Sequence, residues 1–198
     1  MSGLEDFARL VQGDHGLCVV STLRADATIQ SSVVNAGVLS HPVTGVPVIG
    51  LVSRGGTRKL ANLRERPRAT VVVRVGWDWA AAEGPVELAG PDDPMPGVDA
   101  ELLRLLLREI FTAAGGSHDD WVAYDQVMVS ERRTAVLVQP ARISANRLRE
   151  AIAGGVRVTQ PAQPHTEVVK PVPDHACCHA ARGTRRPVHA RRPLGVEG

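Results

Sequence analysis

At 198 residues the chain can form one domain with a substantial core, or a domain plus a tail, and with only 3% aromatic residues that core must be aliphatic. Residues 1–150 hold 16 Lys and Arg against 18 Asp and Glu, while residues 151–198 hold 7 against 3. The cationic excess therefore lies in the C-terminal segment, which excludes a nucleic-acid-binding face on the folded part. Cys18, Cys177 and Cys178 are odd in number with two adjacent, so no disulfide framework is expected and a reducing cytoplasm fits best. The opening residues carry early acidic side chains and no apolar run, unlike a signal peptide, and no stretch approaches the roughly 18 apolar residues of a membrane-spanning helix.

Leu4, Phe7, Ala8 and Val11 share one face of a short amphipathic helix predicted over 4–11. Strands are predicted over 16–24, 28–39 and 46–53, joined by the turn residues of "ADA" and "SHPVTG" into a meander. A helix over 57–64 ends before Pro67, and strands follow over 69–75 and 77–88, parted by Gly76. After a Pro/Gly loop at 90–97, the clearest helical period spans 98–114, with Leu102, Leu105, Leu106 and Ile110 on its apolar side. A further helix over 118–133 has acidic residues in its first turn and Arg132 and Arg133 in its last, the polarity that suits the macrodipole. "TAVLVQPARIS" (134–144) supplies the sixth strand, and "NRLREAIAGG" is expected to cap the domain. Six strands without βαβ alternation predict a mainly β protein, a small antiparallel barrel with peripheral helices. The domain spans residues 1–150, and the Pro- and Arg-rich segment 151–198 is expected to be largely disordered.

"SRGGTRKLANLR" (53–64) carries the most chemistry. Arg58 and Lys59 fall in the first turn of a helix, where the unpaired amides already disfavour cations by a few tenths of a kcal/mol each. With Arg54, the Gly55 and Gly56 backbone and the Thr57 hydroxyl, they can converge on a phosphate or carboxylate; the alternative is a solvated basic turn. Neither nucleotide-binding glycine pattern, G-x-x-x-x-G-K-[ST] or G-x-G-x-x-G, is present. Ser31, Ser32 and Asn35 interrupt an otherwise apolar strand and can line a groove for a polar ring, or simply face water from an edge strand. Trp77 and Trp79, two apart on one strand face, can border a planar ligand, seal a subunit interface or fill core. His175, Cys177, Cys178 and His179 resemble a metal box by composition, but adjacent cysteines lack structural zinc spacing, and no metal is expected. No Ser-His-Asp or paired-carboxylate arrangement is legible, so no catalytic acid or base is nominated.

"STLRADATIQSSVVNAGVL", "VSRGGTRKLANLRERPRATVVVR" and "EGPVELAGPDD" together resemble the pyridoxamine 5'-phosphate oxidase-like split-barrel family, in its actinobacterial branch of reductases dependent on the deazaflavin coenzyme F420. The resemblance covers about residues 4–147 and is most specific in Arg58, Lys59, Asn62, Leu63, Arg64, Pro67 and Arg68. The resemblance implies a six-stranded split β-barrel that forms a homodimer, with two cofactor sites at the subunit interface. By that resemblance Ser53, Thr57, Arg58 and Lys59 hold the cofactor phosphate, with Asn62 in the same motif. The ring lies along Ser31, Ser32, Val33, Val34 and Asn35, and Trp77 and Trp79 reach the partner's cofactor. The C-terminal Arg- and His-containing motif of the true pyridoxamine phosphate oxidases is missing after residue 134, which argues against that activity. The expected function is a cytoplasmic oxidoreductase moving a hydride between reduced F420 and a small organic acceptor. The alternatives are an FMN-dependent oxidase or reductase of the same fold, and a non-catalytic flavin-, F420- or haem-binding protein.

Overall fold

The computed structural model describes residues 3–146; the predicted capping segment after Asn146, the tail from residue 151 and the His/Cys cluster at 175–179 lie outside the described residues. The elements run α1 (Gly3–Gly13), β1 (Leu17–Leu23), β2 (Ile29–Ser40), β3 (Pro47–Ser53), α2 (Arg58–Glu65), β4 (Arg68–Val75), β5 (Asp78–Ala89), α3 (Ala100–Ala113), α4 (Trp121–Ser130), β6 (Thr134–Val138) and β7 (Arg142–Ala145). All pairings are antiparallel: β1, β2 and β3 form the expected meander, β3 pairs with β6, β6 with β5, β5 with β4, and β4 returns to β1. The result is a closed six-stranded barrel, and closure removes the open sheet edges.

Alternation along each strand sends one set of side chains inward. Cys18, Val20, Val34, Ile49, Leu51, Val71, Val73, Val136 and Val138 belong to the barrel core, together with Phe7, Leu10 and Val11 of α1 and Leu60 and Leu63 of α2. A second core lies outside the barrel wall, where Leu106, Leu107 and Ile110 of α3 pack with Leu39, Val48, Ala135 and Leu137. β6 is thus covered on both faces, which is why its five residues are all buried and read as an unbroken apolar run.

Three expectations need correction. The strand expected over 134–144 is two strands, because Pro140 offers no N–H and the register along β5 slips by one residue there, with Gln139 and Ala141 donating to the carbonyls of Pro85 and Glu83. β6 and β7 consequently pair with successive halves of β5, at Val86–Ala89 and Ala80–Glu83. The α3 seam is Leu106, Leu107 and Ile110, while Leu105 is exposed, since α3 rests on a curved wall and its contact stripe is rotated by one residue. α4 is shorter than expected: Asp120 caps it by accepting from the Ala123 amide at 2.9 Å, and it ends at Ser130, leaving Arg132 and Arg133 in the following turn.

Candidate functional site

The segment 53–59 turns from the end of β3 into α2. Ser53 is buried and its hydroxyl meets that of Thr57 at 2.9 Å. Thr57 is the N-cap residue, yet its side chain makes no capping bond to the helix. The first intrahelical bond runs from the Ala61 amide to the Thr57 carbonyl, so the amides of Arg58, Lys59 and Leu60 precede the helical ladder. This is an uncapped helix start beside two hydroxyls and two cations.

Not all of the expected cradle is available. The Gly55 amide donates to the Glu131 carbonyl at 3.0 Å, and the Arg54 guanidinium stands 3.9 Å from the Glu131 carboxylate. Both groups serve to dock the turn after α4. Gly55 is required there: a Cβ would lie 2.8 Å from both Cβ and O of Arg132, so the approach of the two turns leaves no room for a side chain.

Lys59 differs from its neighbours. It is half-buried, and desolvation, reinforced by the Arg133 cation, pushes its ammonium below the ordinary lysine range. Among the described residues no carboxylate pairs with Lys59 or Arg58, whereas Arg133 is held by Glu131 at 2.5 Å. A half-buried ammonium with no carboxylate of its own and a second cation acting on it is a place where a bound anion would be favoured. Arg133 escaped the sequence reading because it follows a helix almost 75 residues downstream, and no spacing rule brings it to Lys59.

Asn62 belongs elsewhere. Its side chain is buried, and its amide donates to Thr22 Oγ1 at 3.0 Å and Gln30 Oε1 at 3.1 Å, pinning α2 to the β1–β2 pair one turn beyond Lys59. Asn62→Ala should lower unfolding stability by about 1–3 kcal/mol, the scale of stranding buried polar partners, with an urea midpoint shift as the readout.

Residues 31–35 cannot all present side chains to one ligand, because the period-2 alternation divides them. Ser31, Val33 and Asn35 face outward, while Val34 is buried in the barrel core and Ser32 shares its side, with its hydroxyl buried and unpartnered. The outward set joins a continuous outer face across four strands. Val33, Val19, Val72 and Ala81 are directly opposed in one row, and Ser31, Ser21, Thr70 and Glu83 in the next, with the Ser21 and Ser31 hydroxyls 2.8 Å apart. Val33 and Ile29 are each 67% exposed, and Leu17, Val19 and Leu23 are also exposed.

The Trp pair is not a strand pair. Trp77, 79% exposed, stands in the two-residue β4–β5 turn after Gly76, whose positive φ of 61° suits the first central position of such a hairpin. Trp79 lies on β5 opposite Arg74. Asn146 clamps this hairpin, accepting from the Trp79 amide at 2.8 Å and donating to the Trp77 carbonyl at 2.6 Å. Neither indole is core filling.

No protein-family model matches the chain. Among solved structures, a conserved hypothetical protein from Mycobacterium tuberculosis superposes with a TM-score of 0.53 at 19% identity, over 73% of this chain and 84% of that one. A pyridoxamine 5'-phosphate oxidase-related, FMN-binding protein from Nostoc punctiforme gives 0.50 at 10% identity, over 72% and 80%. A general stress protein 26-related member of the pyridoxinephosphate oxidase family from Clostridium acetobutylicum gives 0.50 at 14%, over 73% and 88%. The chain has the pyridoxamine 5'-phosphate oxidase-like split-barrel fold. In this split barrel the Lys59 turn lies at the end of β3, and the exposed outer face is carried by β2, β1, β4 and β5. Among the described residues of the split barrel no helix is long and apolar enough to cross a membrane.

Proposed function

We propose that the protein is an oxidoreductase that binds a phosphate-bearing tricyclic cofactor, with the phosphate at Lys59, Arg58 and the uncapped amides of α2. The reading rests chiefly on Lys59, a half-buried cation with no paired carboxylate among the described residues, its proton affinity lowered by burial and by Arg133. The residues present fit such a group: two cations, two hydroxyls and free helix amides surround a phosphate-sized demand for negative charge. Ser31, Val33 and Asn35 offer the ring an apolar and hydrogen-bonding wall, while Ser32 and Val34 contribute backbone. The resemblance of the sequence to F420-dependent reductases names coenzyme F420 and a small organic acceptor. FMN is the second reading, favoured by the FMN-binding neighbour from Nostoc punctiforme. When bound, the cofactor supplies the hydride chemistry; the chain binds it, orients it and excludes water.

The same proposal includes a homodimer formed through the β2–β1–β4–β5 face. Leu17, Val19, Leu23, Ile29 and Val33 are exposed together on its β1–β2 half, an apolar concentration unlike the scattered exposed residues of a free surface. Val33→Arg should therefore give a monomer by sedimentation equilibrium, because each copy would place a cation in the apolar row of the other. A monomeric wild-type protein at micromolar concentration would overturn the dimer. Parallel titration of F420 and FMN, followed by a search for acceptors that reoxidise the reduced cofactor, tests the oxidoreductase reading.

A further inference from the structure

Beside the α4–β6 turn lies a cavity of about 410 Å³, within the range of small-molecule sites. Its walls are the end of β5, the Pro-rich loop 90–98, α3 and α4. Met95, Val98, Leu103, Leu107 and Met128 make most of the lining apolar, and the two methionines give a wall that can adapt to an aliphatic or aromatic body.

Three guanidiniums, of Arg104, Arg132 and Arg133, and two carboxylates line it. Both carboxylates are already engaged: Asp99 caps α3 by accepting from the Leu102 amide at 2.8 Å, and Asp125 is gripped by Arg108 at 2.8 Å and Arg104 at 3.1 Å. Arg132 and Arg133 also line it, while their acidic partners, Asp92 and Glu131, lie outside the lining. Arg132 holds φ at 50°, a left-handed conformation that a large side chain adopts only at a cost, and one that glycine or asparagine would adopt more easily. The turn keeps an arginine there, at the lip of an apolar cavity.

We propose that this cavity is a binding site for an apolar monocarboxylate, its hydrocarbon body between α3, α4 and the 90–98 loop and its carboxylate at Arg132 and Arg133. Arg133 also acts electrostatically on Lys59, so the test uses Arg132 and is run without added cofactor, which keeps its failure separate from that of the cofactor reading.

Isothermal titration of the full chain at pH 7 with decanoate, decan-1-ol and decyltrimethylammonium, all below their aggregation thresholds, provides the test. Decanoate should saturate one site per chain at least tenfold more tightly than decanol, with decyltrimethylammonium weakest. Arg132→Asn, which tolerates the left-handed backbone, should abolish the preference of decanoate over decanol while leaving decanol binding intact. Met128→Trp should fill the cavity and weaken decanoate at least tenfold; Ala100→Trp, at the exposed first residue of α3, does the same should the first variant fail to fold. Equal binding of the three amphiphiles, no saturable binding, or unchanged decanoate affinity in a folded tryptophan variant would overturn the proposal.

Discussion

Gly84→Ala should destabilise the protein by about 3 kcal/mol or more, beyond the usual range for a surface change and close to the limit a small domain tolerates. Gly84 sits on β5 beside the β6–β7 connection, and a Cβ there would overlap the carbonyl oxygen of Gln139 and press on the Ala141 amide. Both obstacles are backbone, and both flank the bonds from Gln139 to Pro85 and from Ala141 to Glu83, so neither can withdraw without breaking those bonds. Chemical denaturation of Gly84→Ala beside Glu87→Ala, an exposed position three residues along the same strand, separates this clash from ordinary strand propensity. A loss below 1 kcal/mol in Gly84→Ala would mean that the β6–β7 connection is looser than described.

Lys59→Met should do the opposite to stability and damage binding. Removing a half-buried cation that faces another cation relieves desolvation and repulsion, so the unfolding midpoint of the unliganded protein should hold or rise. Cofactor affinity should fall about tenfold to a hundredfold, the 1–3 kcal/mol typical of a charge-assisted contact. The pH dependence follows from the same shift. In the unliganded fold the ammonium loses its proton more easily than in the unfolded chain, and a bound phosphate pulls it back toward or above the ordinary value near 10.4. Binding therefore takes up a proton in the alkaline range. Affinity should be constant below the depressed Lys59 value and decline by up to tenfold per pH unit as pH rises through it, whereas Lys59→Met should show no such decline.

The local half of the architecture was legible because it rests on local signals. Alternation, turn residues and Pro47 and Pro67 mark the meander and the end of α2, and Gly76 marks the β4–β5 hairpin. What escaped depends on residues that meet across the fold. Pro140 was readable as a break, but only the one-residue slip in register along β5 shows why two short strands replace one long one. The turn at 53–59 stood out in the sequence as a candidate anion site, and the structure sorts its groups differently. Asn62 and the Gly55 amide are consumed in docking α2 and the α4–β6 turn, and the sequence reading lacked Arg133. A run such as 31–35 looks like one ligand wall in the primary sequence, but the period of a strand sends alternate members to opposite faces. The outer face of β2, β1, β4 and β5 is likewise a product of register, since its rows bring Val33 and Ala81 onto one surface from positions 48 residues apart.

The most direct test of the account is a parallel titration of coenzyme F420 and FMN into the purified protein and into Lys59→Met, with the folded state of each checked by its unfolding midpoint. The account predicts that one of the two cofactors saturates at one per chain in the wild type and binds at least tenfold more weakly to an equally stable Lys59→Met. Binding of equal strength in both proteins, or no saturable binding of either cofactor, would contradict it.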